Sequence, residues 1–184
     1  MMKRIIVLIL TGAMILTSLT ACGTKNQDNN KEGVKTVDLD KLVASVKEAY
    51  GDEYTPDMVY DEAALEEMFG LPKELYEQAI AEGPMISNSS DVFVAVKAAK
   101  EKAEQVEKAL NDYRDYLVNE SMQYPTNKVK VQASKVIRHG DYVFFVLLGG
   151  IPMETEDKGE EAILTKAKER VKIAVDVIDG YFKE

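Results

Sequence analysis

The sequence predicts an α+β domain in which an antiparallel sheet of about four strands is covered by helices, and three segments carry this prediction. Residues 91–98 alternate Val with Phe, Ala and Lys, the period of two that is typical of a strand. Residues 100–121 are rich in Glu, Lys and Ala and repeat apolar side chains at helical spacing. Residues 142–148 are continuously apolar, which indicates a central strand buried on both faces.

Two helices are expected ahead of the sheet and one after it. Residues 38–50 carry apolar residues at helical spacing between a capping Asp38 and Gly51, and residues 61–69 repeat the pattern before Gly70. The last helix follows an acidic loop at residues 154–161. Its apolar stripe comprises Ile163, Ala167, Val171, Ala174, Ile178 and Phe182.

The remaining strands complete a ββαββ core. Residues 72–82 have helical propensity, yet a strand is needed there to pair with residues 91–98, so we favour a strand. Residues 128–137 alternate Lys and Val and predict a strand that joins residues 142–148 in a hairpin. His139 falls in the predicted turn of this hairpin, where we expect it to be exposed to solvent.

The N-terminus has the layout of a bacterial lipoprotein signal peptide at residues 1–21. Lys3 and Arg4 precede an apolar run that is shorter than the roughly 20 residues of a membrane-spanning helix. The run ends in Leu-Thr-Ala-Cys, a lipobox, so we expect Cys22 to be acylated, for example with palmitate. The alternative is an ordinary signal peptide followed by a chance cysteine. A lipid on Cys22 would anchor the protein at the extracytoplasmic face of the cell membrane.

Composition bounds the rest of the chain. Residues 22–36 are polar and aperiodic and predict a disordered tether, which leaves residues 37–184 as one extracytoplasmic domain. The formal charge is −9 and becomes −11 once Lys3 and Arg4 are removed with the signal peptide. Such an acidic chain argues against nucleic acid, anionic lipid and anionic wall polymers as partners, because polyanions are bound by basic surfaces.

Few residue types remain for catalysis or metal binding. Cys22 is the only cysteine and His139 the only histidine, which argues against thiol enzymes, histidine-based zinc sites and nucleophile–histidine–acid triads. Residues 154–161 are acid-dense, but Lys158 occupies a place where a calcium-binding loop needs a ligand. We therefore predict no cofactor, no metal and no catalytic residue.

Tyr113, Arg114, Tyr116 and Tyr124 are the candidate binding residues. They lie near the end of the long helix and in the turn after it, and clusters of Tyr and Arg often dominate binding surfaces. The alternative is that Tyr113 belongs to the core and the others are half-buried helix ends.

Three short motifs carry a family resemblance: Phe69-Gly70-Leu71, the Ser-Ser-Asp-Val-Phe of residues 89–93, and Tyr124-Pro125. With them, residues 37–148 resemble an uncharacterised family of lipoproteins from Gram-positive bacteria, classed as a domain of unknown function. The resemblance implies a small extracytoplasmic α+β domain behind a lipobox. It implies no catalytic residues.

Two functional hypotheses follow. The leading one is a membrane-anchored, non-enzymatic binding or envelope-accessory protein, which holds an envelope protein or a small ligand with an exposed sheet face or with the loops around Tyr124 and Glu154. The alternative is a carboxylate-dependent hydrolase of cell-wall or glycan material. It would need two acids held at a defined separation in a cleft.

Overall fold

The computed structural model describes residues 36–85 and 89–183. Five antiparallel strands form one open sheet in the order β1-β2-β3-β5-β4. The strands are β1 Met58–Val59, β2 Tyr76–Gly83, β3 Val92–Ala98, β4 Lys135–His139 and β5 Tyr142–Leu147. The predicted α+β class and its ββαββ core are confirmed, and the short edge strand β1 is an addition.

The helices are α1 Leu39–Tyr50, α2 Glu62–Phe69, α3 Ala103–Asn119, α4 Pro125–Lys130, α5 Met153–Glu156 and α6 Glu160–Phe182. The predicted caps are present, since the carboxylates of Asp38 and Asp61 accept bonds from backbone amides of the first turns of α1 and α2. Gly70 ends α2 with a φ of 64°, in the left-handed region that favours glycine. Within residues 36–85 and 89–183, no helix is long and apolar enough to cross a membrane.

Both faces of the sheet are covered. Phe145 and Leu147 of β5 pack with α2 and α3 on one face, and Phe144 and Val146 pack with α1 and α6 on the other. All six residues of β5 are buried, which confirms that it is a central strand. The expectation of an exposed sheet face for binding is therefore wrong, and binding surfaces must lie at the ends and edges of the sheet.

The segment 128–137 differs most from its prediction. It forms the end of α4, a 3-10 turn at Val131–Ala133 and only then β4. The buried residues Asn127, Lys130 and Val131 follow helical spacing, but two of them are polar. The period of hydrophobic residues does not reveal a helix whose buried face includes Asn127 and Lys130. The alternation of Lys and Val is also the pattern of a strand, which is why a strand was predicted.

Three smaller points complete the comparison. Residues 72–82 do contain a strand, although a 3-10 turn at Lys73–Leu75 precedes it. Residues 154–161 are not a loop, because they contribute most of α5 and the start of α6. His139 is half-buried: its ring stacks on Phe182 with centroids 4.4 Å apart, and its Nε2 lies 3.0 Å from a carboxylate oxygen of Asp179.

Because both faces are covered, we expect Phe144→Ala and Phe145→Ala each to lower the free energy of unfolding by about 3–5 kcal/mol. In a sheet with one open face, only one of these neighbouring residues would matter. Met122→Ala is the control, since this side chain is fully exposed, and should change stability by less than about 0.5 kcal/mol. Urea unfolding measures all three, and a small effect at either phenylalanine would contradict the described packing.

Candidate functional site

Asp91 is the polar centre of the fold. It directly precedes β3, and its carboxylate is 1% exposed. It accepts hydrogen bonds from the Lys130 ammonium, the Thr55 hydroxyl at 2.7 Å and the Gly149 backbone N–H at 2.9 Å. One side chain thus joins the segment before β1, the start of β3, the end of α4 and the chain after β5.

Lys130 and Asp91 form a buried ion pair. The side chain of Lys130 is only 6% exposed, so both charges have lost most of their hydration. Burial of a charge costs several kcal/mol unless a partner and further hydrogen bonds compensate for it. Asp91 has a charged partner, Lys130, and further hydrogen bonds from Thr55 and Gly149. These contacts explain why the Lys130 and Asp91 side chains are held in one arrangement.

A cavity of about 340 Å³ opens beside Lys130, at the end of the sheet where β3 begins and β5 finishes. We call it the sheet-end cavity. It is lined by Ser89, Tyr124, Thr126, Asn127, Lys130, Gly150, Ile151 and Glu156. Its volume lies within the range of roughly 300–1,000 Å³ that small-molecule sites occupy.

The lining of the sheet-end cavity suits a neutral polar or zwitterionic ligand. Hydroxyl, amide, ammonium and carboxylate groups offer both donors and acceptors. The positive charge of Lys130 is compensated by Asp91 beneath it, so the wall has little attraction left for a polyanion. Tyr124 is 60% exposed and presents an aromatic ring on which a ligand could stack.

Glu82 is a second buried carboxylate, and it too is bound by internal donors. The Lys47 ammonium lies 2.5 Å from one of its oxygens, and the Tyr54 hydroxyl donates to the other at 2.8 Å. Burial, and then the hydrogen bond to Glu82, raise the pKa of Tyr54 well above its ordinary value, so the phenol stays protonated and keeps donating. Both buried carboxylates are thus bound by internal donors.

Hydrolase chemistry finds little support in the other depressions. Glu161 and Glu169 line a shallow depression between α5 and α6, where the Lys166 ammonium lies 2.6 Å from a carboxylate oxygen of Glu169. Among residues 36–85 and 89–183, no three His, Cys, Asp or Glu side chains gather in a group that could hold a metal ion.

The four candidate binding residues are divided among three depressions. Tyr113 is half-buried, with its ring centroid 4.7 Å from that of Phe69 and 5.2 Å from that of Phe145, and burial raises the pKa of its hydroxyl. It lines a groove of about 290 Å³ together with Tyr116, which is 51% exposed. Tyr124 lines the sheet-end cavity, whereas Arg114 lines a different and larger groove.

The groove at Arg114 has a volume of about 640 Å³ and lies beside the edge strand β4, between the middle of α3 and α6. We call it the basic groove, because four cations and one carboxylate line it. The charged residues are Arg114, Lys135, Lys168, Lys172 and Asp176. The Nε of Arg114 donates to the backbone oxygen of Ser134 at 2.9 Å, which fixes the guanidinium against the wall.

Sequence reasoning did not identify Lys130, Asn127 or the cations of α6 as site residues. Asp91 was noted only as part of a motif, and Lys130 only as part of a supposed strand. The sequence does not distinguish a buried lysine from an exposed one. Only a prediction that residues 125–130 are helical could have indicated that Lys130 is buried. The basic groove joins three elements that are distant in sequence.

These features define the chain as a small α+β domain with a sheet covered on both faces and polar depressions at its end and edge. A family model, Domain of unknown function (DUF4358), matches residues 49–148, which is more than half of the chain and includes every strand. The chain belongs to this family. Comparisons with curated proteins and with solved structures found no match.

We expect Asp91→Asn and Lys130→Met each to destabilise the domain by about 3–5 kcal/mol, because each leaves a buried partner without its counter-charge. The double variant should lose less than the sum of the two. The exposed pair Lys108 and Asp112 is the control, and Lys108→Met should cost less than about 1 kcal/mol. Urea unfolding gives these values, and additive effects in the double variant would show that the buried pair is not coupled.

Proposed function

We propose that this protein is a membrane-tethered extracytoplasmic lipoprotein that binds a small polar ligand, or a polar segment of an envelope protein, in the sheet-end cavity without chemical conversion. The observation that carries the proposal is the fixed polar wall of that cavity. Lys130 and Asn127 are buried and held in place, while Tyr124 stands exposed at its side. A wall that is ordered in advance reduces the entropy that a ligand loses on binding.

The lipobox and the positively charged residues at the N-terminus support the proposed membrane-tethered, extracytoplasmic localisation. Cys22 and the rest of residues 1–35 lie outside the described residues, so the proposed localisation rests on the sequence alone. The position of the cavity agrees with a tether. The backbone of Val37 bonds to the hydroxyl of Tyr142, at the start of β5, whereas the cavity lies beyond the other end of this strand. Six residues of strand span about 20 Å, so the chain enters the domain far from the cavity.

A carboxylate-dependent hydrolase is the weaker proposal. The two buried carboxylates, Glu82 and Asp91, are each bound by internal donors, and Glu169 is bound to Lys166 at 2.6 Å. Nucleic acid is not favoured as a ligand of a chain with a formal charge of −9.

Thermal unfolding of the full chain in uncharged detergent tests the binding site. The probes are neutral and zwitterionic wall fragments, dipeptides and calcium chloride. A ligand at 100 times its Kd adds about 2.7 kcal/mol, which corresponds to a rise in Tm of roughly 5–10 °C. Tyr124→Ala should abolish the rise, whereas Tyr116→Ala, which alters an equally exposed tyrosine of another groove, should leave it intact.

A protein ligand is not among these probes and would be missed, so crosslinking in intact cells forms the second arm. A photoreactive benzoylphenylalanine in place of Tyr124 should capture a partner that the same group in place of Tyr116 does not. A thermal shift that survives Tyr124→Ala would contradict the proposed site. So would the absence of both a shift and a crosslink specific to position 124.

The tether has its own test. Cys22→Ser should abolish incorporation of an alkyne-labelled fatty acid, because it removes the thiol that carries the lipid. Ser18→Ala, four residues earlier in the apolar run, is the control and should leave labelling unchanged. Labelling that persists in the Cys22→Ser protein would contradict lipidation at this residue.

A further inference from the structure

The basic groove holds positive charge that the fold itself does not compensate. Neither Lys135 nor Lys168 has a carboxylate within 4 Å among residues 36–85 and 89–183, and both side chains are exposed. Lys172 is bound to Asp176 at 2.5 Å. With Arg114 the groove thus carries four cations and one carboxylate, a net charge of +3.

This local charge is opposite in sign to that of the whole chain, which is −9. Cations that line one concave wall repel one another, and a low-dielectric wall concentrates their field in the groove. The sheet-end cavity differs, because Asp91 neutralises its lysine. The net charge of the chain argues against anionic ligands in general, but this argument does not apply to the basic groove.

The geometry of the cations indicates the chemistry of the ligand. Arg114 is anchored through its Nε to Ser134, so its two terminal nitrogens can still donate, one of them lying 3.8 Å from the exposed carboxylate of Asp115. Lysines act on phosphate as mobile point charges, and an arginine adds a rigid pair of donors. A phosphate group at neutral pH carries up to two negative charges and three terminal oxygens, which several cations can share.

We propose that the basic groove binds a phosphate-bearing polyvalent anion. Its volume of about 640 Å³ accommodates a ligand well beyond the size of one phosphate group. The phosphate can belong to a soluble molecule or to a lipid headgroup that ends in a phosphomonoester, and both present the same terminal group. This site is separate from the sheet-end cavity, and either can exist without the other.

The experiment measures protection of individual lysines in the full chain, held in uncharged detergent micelles. An amine-acylating reagent is applied with pyrophosphate in solution or with phosphatidic acid in the micelles, and mass spectrometry reads the modification of each lysine. We expect at least fivefold protection of Lys135 and Lys168. Lys100 and Lys128 serve as internal controls, since they are equally exposed, have no described ion pair and lie outside the groove.

Calorimetry with pyrophosphate completes the test. The double variant Lys135→Gln and Lys168→Gln should bind at least tenfold more weakly than the parent, while Lys100→Gln with Lys128→Gln removes the same charge and should bind unchanged. Binding should also weaken as salt rises, because the sites are exposed. All four positions are at the surface, so the variants are expected to fold, and circular dichroism verifies this.

The outcomes separate the two sources and decide the proposal. Protection by pyrophosphate alone assigns a soluble phosphate ligand, and protection by phosphatidic acid alone assigns a lipid headgroup. If neither probe protects Lys135 and Lys168 more than Lys100 and Lys128, the proposal is overturned. Equal weakening in both double variants would also overturn it, since attraction would then follow total charge and not the groove.

Discussion

The burial of β3 and β5 on both faces is the constraint that shapes the rest of the molecule. Because β5 places Phe144 and Phe145 on opposite sides, helices cover both faces of these central strands, and among the described residues neither central face is open to a ligand. Polar chemistry is thereby confined to the margins. The sheet-end cavity occupies the end where β3 begins, and the basic groove occupies the edge beside β4.

The sheet-end cavity and the basic groove differ in how their positive charges are compensated. Lys130 is buried and bound to Asp91, so it contributes position and hydrogen bonds but little net charge. The groove lysines are exposed, and Lys135 and Lys168 have no described acidic partner, so they contribute charge with little fixed geometry. A neutral polar ligand suits the first arrangement and a polyvalent anion suits the second. One acidic domain can therefore offer two distinct kinds of site.

Helices and strands with a regular spacing of apolar residues were predictable from the sequence. An element whose buried face contains polar residues was not. The stripes of α1, α3 and α6 and the apolar run of β5 predicted the fold class, and two of the four strand pairs, β2 with β3 and β4 with β5, were predicted. The segment that became α4 was mistaken for a strand because its buried face contains Asn127 and Lys130. Arg114 and Tyr124 were recognised as candidates, but only tertiary structure shows that they line separate depressions, because the residues opposite them come from distant elements.

The paired hydrogen bonds between Val37 and Tyr142 have a mechanical consequence. The Tyr142 hydroxyl donates to the backbone oxygen of Val37 and accepts from its N–H, and the ring of Phe182 packs beside it with centroids 5.3 Å apart. A pull arriving along the chain from residue 36 therefore reaches the most deeply buried strand before it can peel away α1. Both hydrogen bonds between Val37 and Tyr142 would have to break before tension on the chain could unwind α1.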